Sequence, residues 1–392
     1  MDLVGSYVHA SAAKHDAAGA DQPPSGPEMA APKEIVDALA GPEAVHPETA
    51  GPDAAGKTTT QSPAPMIGKG VPGPATVAVS AQAKAMAVRL APVHEAWKTL
   101  SPASRPQRLI DAVWAELAGT GMPKPTAIFK PSEGGLFRKE LWVTEIEGSL
   151  MQKAELTPDE FATACEYARH EMEHALQMFR IARREARLYG EDVTALANRL
   201  QIPKSVAEAA IEANAGHRPA EKLEGTQADT DAAAHFESIY GAGNPHREKT
   251  LTDLPVAIKE LNEAADRVLQ ARGKERIAEA LDLQIQANQT YRKTIDDYLA
   301  LPEEIPAFEA GRGVKKAVAE HLAELARAKE EVRMAVAEVD RVRNRVTGET
   351  GDTERMSALN RAALRRAFAT LQSRLDRVRD LQTGLTAAKG KK

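Results

Sequence analysis

The chain has 392 residues, of which 27% are charged, and its formal net charge is −5. This balance excludes the strongly basic composition that is typical of nucleic-acid-binding domains. No apolar run approaches the roughly 20 residues that cross a bilayer, and the single cysteine, Cys165, excludes an intramolecular disulfide. The basic start and apolar centre of a signal peptide are missing from the N-terminal stretch "MDLVGSYVHASAAKHDAAG". We therefore expect a protein that is cytoplasmic in the producing cell, and that needs a dedicated machine if it is delivered outside.

The first part of the chain is rich in proline, glycine, alanine, threonine and acidic residues. This composition is clearest in "QPPSGPE", "GPEAVHPETAGPDAAGK" and "QSPAPMIGKGVPGPA". Large apolar side chains are few, so the segment cannot bury enough surface to offset the entropy of ordering. The sequence therefore predicts a disordered leader over residues 1–80.

Helical periodicity begins near Ala81 and is followed by a β signal. Apolar residues recur at helical spacing in "AQAKAMAVRLAPVHEAWKTL" and in "SRPQRLIDAVWAELAG". The next stretch, "PTAIFKPSEGGLFRKELWVTEIEG", places a turn bounded by proline and glycine between two runs rich in Phe, Val, Ile and Trp. This pattern predicts a short β hairpin.

A long helix follows, and both of its ends are marked in the sequence. Thr157 can cap the N-terminus, Pro158 takes the first helical position, and Glu160 completes a capping box. Gly190 supplies the stop. Between these ends, apolar side chains recur at spacings of three and four residues, which predicts one amphipathic helix of about thirty residues.

The rest of the chain is predicted to be helical, and it shows no repeat. Two long periodic segments, at about 314–346 and 353–387, predict an antiparallel helical hairpin with a basic tail. Its arginines alternate with glutamates and lack interleaved aromatics, so nucleic acid is not an expected partner. The expected architecture is mainly α, with a small β hairpin. Its parts are a leader (residues 1–80), the domain that carries the long helix (81–312) and the helical hairpin (313–392).

The long helix contains a His-Glu-x-x-His pattern within "ARHEMEHALQMFRIAR". Positions i and i+4 project from one helix face, so His170 and His174 can converge on one ion. Zinc accepts imidazole nitrogens and lowers the pKa of a bound water towards ~7. Glu171, directly after the first histidine, is placed to act as the general base for that water. The pattern therefore predicts a zinc-dependent hydrolase.

Two other interpretations fit this pattern. The same side chains would form a solvated helix face if Glu173 simply paired with Arg169. The letters "EMEH" also match the Glu-x-x-His pattern of di-iron proteins, which need a second such pattern on a facing helix. The other instance in the chain, Glu43 to His46, falls in the predicted leader, so the di-iron interpretation is set aside.

A zinc ion held by two histidines lacks one protein ligand. Glu303 and Glu304 stand out downstream, because they open a helix after Leu301-Pro302, where apolar neighbours would hold a carboxylate rigidly. Pro-Glu-Glu is also an ordinary helix start, so the residues alone leave the third ligand open. The remaining candidates are His217, His235, Glu237, His246 and Glu263.

Several segments of residues 125–312 resemble, in order and spacing, one family of proteins. They are "LFRKELWVTEIEGSLM", "LTPDEFATACEYARHEMEHALQMFRIAR", "RLQIPKSVAEAA", "SIYG" and "YLALPEEIPAFEAG". Together they are similar to the zincin-like, gluzincin-type metallopeptidase domains of bacterial polymorphic toxins and of proteins associated with extracellular contractile injection systems. Gln177, Phe179 and Arg180 match the family pattern after the histidines. The residues that depart from the pattern are Arg169, Leu176 and Pro306.

The resemblance implies a zincin-like helical domain with a defined set of site residues. It implies a Zn²⁺ ion held by His170, His174 and Glu304, with Glu303 as the close alternative to Glu304. It also implies peptide hydrolysis, in which Glu171 activates a water on the metal. The implied substrate is a protein or a peptide.

A metallopeptidase also needs a donor to the oxyanion that peptide hydrolysis generates. Tyr240, in "SIYG", is the predicted catalytic residue for this role, and Tyr298 is a second candidate. Each of them also fits an ordinary core position.

The resemblance further implies a bacterial effector or toxin that a contractile injection system delivers, with the leader contacting the tube or another delivery component. The alternative function is that of a non-catalytic structural or adaptor protein, which retains the zincin-like scaffold and binds a partner through its helical hairpin. A helical adaptor without a metal is the remaining alternative.

Overall fold

The computed structural model describes residues 79–130, 135–190, 192–350 and 358–384. Over these ranges the protein is mainly α-helical and contains one small sheet, which confirms the predicted fold class. The predicted leader lies outside the described residues, except for its last two positions.

The helices follow one another with short connections and are numbered here in chain order. None of those in the described part of the chain is both long enough and apolar enough to span a membrane. They are α1 (Ala81–Ala96), α2 (Arg105–Leu117), α3 (Gly148–Gln152), α4 (Pro158–Tyr189), α5 (Val193–Leu200), α6 (Lys204–Asn214), α7 (Gln227–Ile239), α8 (Asn244–Gln270), α9 (Lys274–Leu299), α10 (Glu304–Thr350) and α11 (Ala358–Thr383).

The sheet has three strands, β1 (Thr126–Lys130), β2 (Gly135–Arg138) and β3 (Val143–Glu147), in the order β1-β3-β2. β2 and β3 form an antiparallel pair, whereas β1 joins β3 in parallel. The sequence predicted two strands around one turn bounded by proline and glycine, and residues 131–134 of that turn lie outside the described residues. The structure differs because the second apolar run bends near Trp142, whose φ of 54° is left-handed, and so supplies two strands.

Helix α4 lies at the centre of the fold, and its ends are those that the sequence predicted. Thr157 and Glu160 exchange the two hydrogen bonds of a capping box, and Gly190 ends the helix with a φ of 60°. The burial is broader than one apolar stripe, because α2, the sheet, α6, α7 and α10 all pack against α4. Charged side chains of α4 are therefore buried together with the apolar ones.

Two hydrophobic clusters fix the elements around α4. The larger cluster joins α4 to α1, α2, the sheet and α6. The second cluster lies between α8 and α9 and includes Tyr298, Leu301 and Phe308. Because these three residues flank Glu304 in the sequence, the second cluster holds the start of α10 in place.

Helix α10 crosses α4 and then continues into the C-terminal hairpin. At Gly311 an added Cβ would lie 3.0 Å from the carbonyl oxygen of Glu166 and 3.4 Å from the Cβ of His170. Further along, Glu331 pairs with Arg374 and Leu325 packs near Leu381, so α10 and α11 run antiparallel. The predicted boundary between residues 312 and 313 falls inside α10, so one continuous helix joins the start of α10 to the hairpin.

Candidate metal centre

Two histidines of α4 and the first residue of α10 converge on one point. The Nε2 atoms of His170 and His174 are 3.0 Å apart. Glu304 Oε2 lies 3.4 Å from His170 Nε2 and 3.5 Å from His174 Nε2. Three potential ligand atoms from two helices therefore form a compact triangle, and this group of residues can hold a metal ion.

This triangle has the dimensions of one face of a zinc coordination tetrahedron. With zinc–ligand bonds of about 2.0–2.1 Å, two ligands of a tetrahedral ion are about 3.3–3.4 Å apart. The observed separations of 3.0, 3.4 and 3.5 Å are close to that value. Two imidazole nitrogens and one carboxylate oxygen are also a donor set that catalytic zinc uses, with the fourth position left for water. The residues present therefore fit a zinc ion.

The helix face that carries the histidines is buried. His170 is 1% exposed and Glu304 is 6% exposed. Arg169 and Glu173 do pair, at 2.5 Å, but both side chains are buried too. A solvated helix face therefore does not describe this part of α4.

The charges of the three residues depend strongly on one another. Burial lowers the pKa of His170 to about 4, although its contact with Glu304 opposes that shift. Burial also disfavours the imidazolium form of His174, but the carboxylates of Glu304 and Glu171 outweigh it and raise the pKa of His174 to about 9. Burial would raise the pKa of Glu304, yet the two imidazoles hold it well below its usual range. The cluster thus keeps a carboxylate ionised in the interior, and a metal would displace the proton that His174 carries.

Glu304 and its neighbour Glu303 have different surroundings. The carboxylate of Glu303 accepts a hydrogen bond from Arg247 Nε at 2.6 Å, whereas the carboxylate of Glu304 faces the histidines. Glu304 is therefore the member of the pair that completes the cluster. Sequence reasoning missed Arg247, because it lies on α8, 56 positions before its partner, and nothing in its local sequence marks it. His235, a candidate ligand from the sequence, instead contacts the carbonyl oxygen of Pro302 at 3.1 Å.

Glu171 lies under strand β2 and next to the cluster. A Cβ at Gly135 would come within 2.6 Å of Glu171 Oε1 and 2.7 Å of its Cγ, so a larger residue there would force the glutamate side chain to move. Glu171 is 1% exposed. Its charge contributes to the raised pKa values of His174 and Tyr298. The predicted general base is therefore close enough to the cluster to act on it electrostatically.

The two candidate tyrosines have different partners. The hydroxyl of Tyr240 donates to the carbonyl oxygen of Leu200 at 2.7 Å and accepts from Lys139 Nζ at 2.6 Å. Tyr298 is fully buried, and burial together with the neighbouring carboxylate of Glu304 raises its pKa well above the usual value. The structure thus places Tyr298 beside the cluster, and the catalytic role of Tyr240 stays a prediction.

Compared with protein-family models, with curated proteins and with solved structures, the chain matches none of them. The resemblance to zincin-like domains therefore stays a prediction from the sequence. What the structure adds is the cluster itself, together with its burial and its charges.

Proposed function

We propose that this protein is a zinc-dependent metallopeptidase of the His-Glu-x-x-His type. The observation that carries the proposal is the triangle of His170, His174 and Glu304, whose sides match the ligand separations of tetrahedral zinc. The position of Glu171 supports it, because this carboxylate directly follows the first histidine and acts electrostatically on the second.

Each residue of the site has its own role in the proposed reaction. Zinc, when bound, supplies a Lewis acid that makes water nucleophilic at neutral pH. His170, His174 and Glu304 would hold the ion, and the capped, buried helix α4 keeps the two imidazoles on one face. Glu171 accepts a proton from the attacking water and delivers it to the nitrogen of the leaving peptide. The oxygen of that water bonds to the carbonyl carbon and the scissile C–N bond breaks. The products are a carboxylic acid and an amine, and the acid passes its proton to the amine at neutral pH.

The burial of the site favours a second candidate function. The side chain of His174 is 15% exposed, whereas Glu171 is only 1% exposed. A scaffold that keeps the metal for stability and binds a partner elsewhere would need no more exposure of the metal site to solvent than this. The second candidate is therefore a non-catalytic structural or adaptor protein. The effect of Glu171 substitutions on peptide hydrolysis distinguishes the two candidates.

Metal content tests the site directly. Protein purified without a histidine tag is expected to contain about one zinc per chain, because three protein ligands suffice for a zinc site with an open position. His170→Ala and Glu304→Ala should both lose the metal, as measured by plasma mass spectrometry. His217→Ala is the matched control, because His217 is exposed on the connection after α6. This variant should keep its zinc. A wild-type protein without zinc even after incubation with the ion, or a His170→Ala variant that keeps it, would contradict the proposal.

For the biological setting we propose a bacterial effector or toxin, made in the cytoplasm and loaded into a contractile injection system through residues 1–80. This part of the proposal is supported by the sequence resemblance alone. Deletion of residues 1–80 should abolish packaging while the zinc content stays the same. Packaging can be measured by the amount of protein that copurifies with assembled injection particles, and unchanged packaging would refute the leader's role.

A further inference from the structure

Gln177 lies one turn after His174 on α4 and is 2% exposed. Its Oε1 atom is 3.1 Å from His174 Nδ1, and its Nε2 atom donates to the carbonyl oxygen of Glu303 at 2.8 Å. A carbonyl oxygen can only accept, so the amide nitrogen of Gln177 must face Glu303. The amide oxygen then faces His174, and Nδ1 of that imidazole must carry a proton to complete the hydrogen bond.

This contact selects one form of the His174 ring. An imidazole that is protonated at Nδ1 presents the lone pair of Nε2 to a metal. Nε2 is also the atom that lies 3.0 Å from His170 Nε2 and 3.5 Å from Glu304 Oε2. Gln177 therefore directs the metal-binding nitrogen of His174 into the triangle.

The other end of Gln177 acts on the segment that carries the third ligand. Glu303 directly precedes Glu304, so the hydrogen bond from Gln177 ties the start of α10 to α4 across 126 positions of sequence. Two further side chains hold the same segment, His235 through the carbonyl of Pro302 and Arg247 through the carboxylate of Glu303. Of these three side chains, Gln177 is the one that also contacts a histidine of the cluster.

We propose that Gln177 is a positioning residue of the metal site. One carboxamide fixes the tautomer of His174 and, at the same time, the distance between His174 and Glu304. The inference rests on the proposed metal site, and it adds a residue that binds neither metal nor substrate. Loss of such an outer partner of a metal-bound histidine typically lowers metal affinity by about 10–100-fold.

The test compares Gln177→Met, which keeps the length of the side chain but removes both hydrogen bonds, with the wild type. Zinc affinity, measured by competition with a chromophoric chelator, should fall by about 10–100-fold in this variant. Histidine-ring ¹⁵N NMR of the zinc-loaded wild type should show His174 protonated at Nδ1. In zinc-loaded Gln177→Met, Nδ1–H lacks its acceptor oxygen, so its proton should exchange faster with water and its signal should weaken or vanish. Gln177→Glu keeps an acceptor for Nδ1–H, so it should retain the signal and recover part of the affinity.

Gln107→Met is the matched control. Gln107 also bridges two elements, because it accepts from the backbone nitrogen of Ala127 on β1 and donates to Asp111 on α2, each at 2.9 Å. Its loss should lower the melting temperature without changing zinc affinity. The inference alone is overturned if Gln177→Met binds zinc within about twofold of the wild type, or if Gln107→Met loses as much affinity. If the wild type binds no zinc, the proposed function fails and this inference fails with it.

Discussion

Glu171→Gln is expected to lower the rate of peptide hydrolysis by about 10²–10⁴-fold while the zinc content stays that of the wild type. The substitution keeps the shape of a side chain that is 1% exposed and packs against Gly135 of β2. A carboxamide cannot accept the proton of the attacking water, so the chemical step loses its base. The three proposed ligands are untouched, and the metal should remain. Cleavage of a quenched peptide library, with metal content measured on the same preparation, gives both quantities.

The control for this substitution is Glu208→Gln on α6, where the side chain is exposed and the same chemical change should leave hydrolysis unaltered. Three outcomes separate the candidate functions. Hydrolysis that persists in Glu171→Gln would remove Glu171 from the mechanism. Hydrolysis that falls only in Glu171→Gln supports the metallopeptidase. A wild type that binds zinc and cleaves no peptide, with no phenotype for Glu171→Gln, supports the non-catalytic adaptor.

The long helix and its histidines could be predicted from the sequence because their signals are local. The capping box of Thr157 and Glu160 and the stop at Gly190 act within one turn of the helix ends. The convergence of His170 and His174 follows from the helical repeat alone. Each of these features depends on residues a few positions apart, so no knowledge of the tertiary fold is needed.

The position of the proposed third ligand and the sheet order depend on contacts between distant parts of the chain. Glu304 reaches the histidines because the cluster between α8 and α9 holds the start of α10, and Arg247 draws the neighbouring carboxylate of Glu303 away. Neither effect has a local sequence signal, so the residues alone left the ligand open. Strand β1 pairs with β3 rather than with its sequence neighbour β2, which likewise follows from packing against α2 and α4 and not from the period of the strands.

The crossing of α10 over α4 is the contact on which the triangle depends, and Gly311→Leu should disrupt it. A Cβ at this position already comes within 3.0 Å of the backbone of Glu166 and 3.4 Å of His170 Cβ, so a larger side chain must push the helices apart. Overpacking of this kind costs typically about 1–3 kcal/mol, and we expect the upper end of that range because backbone is the obstacle. Zinc affinity should fall as well, since the displacement separates His170 from Glu304. Urea unfolding and chelator competition measure the two effects.

Gly313→Ala, two positions further along the same helix, isolates the steric cause. An added Cβ at Gly313 meets no atom within 4 Å, so alanine there should gain helix propensity worth up to about 1 kcal/mol and leave zinc affinity unchanged. Both variants add a side chain to a glycine of the same helix, and they differ in what lies opposite that glycine. Equal stability and equal zinc affinity in the two variants would mean that α10 does not approach α4 closely at Gly311, and that something other than this crossing brings Glu304 to the histidines.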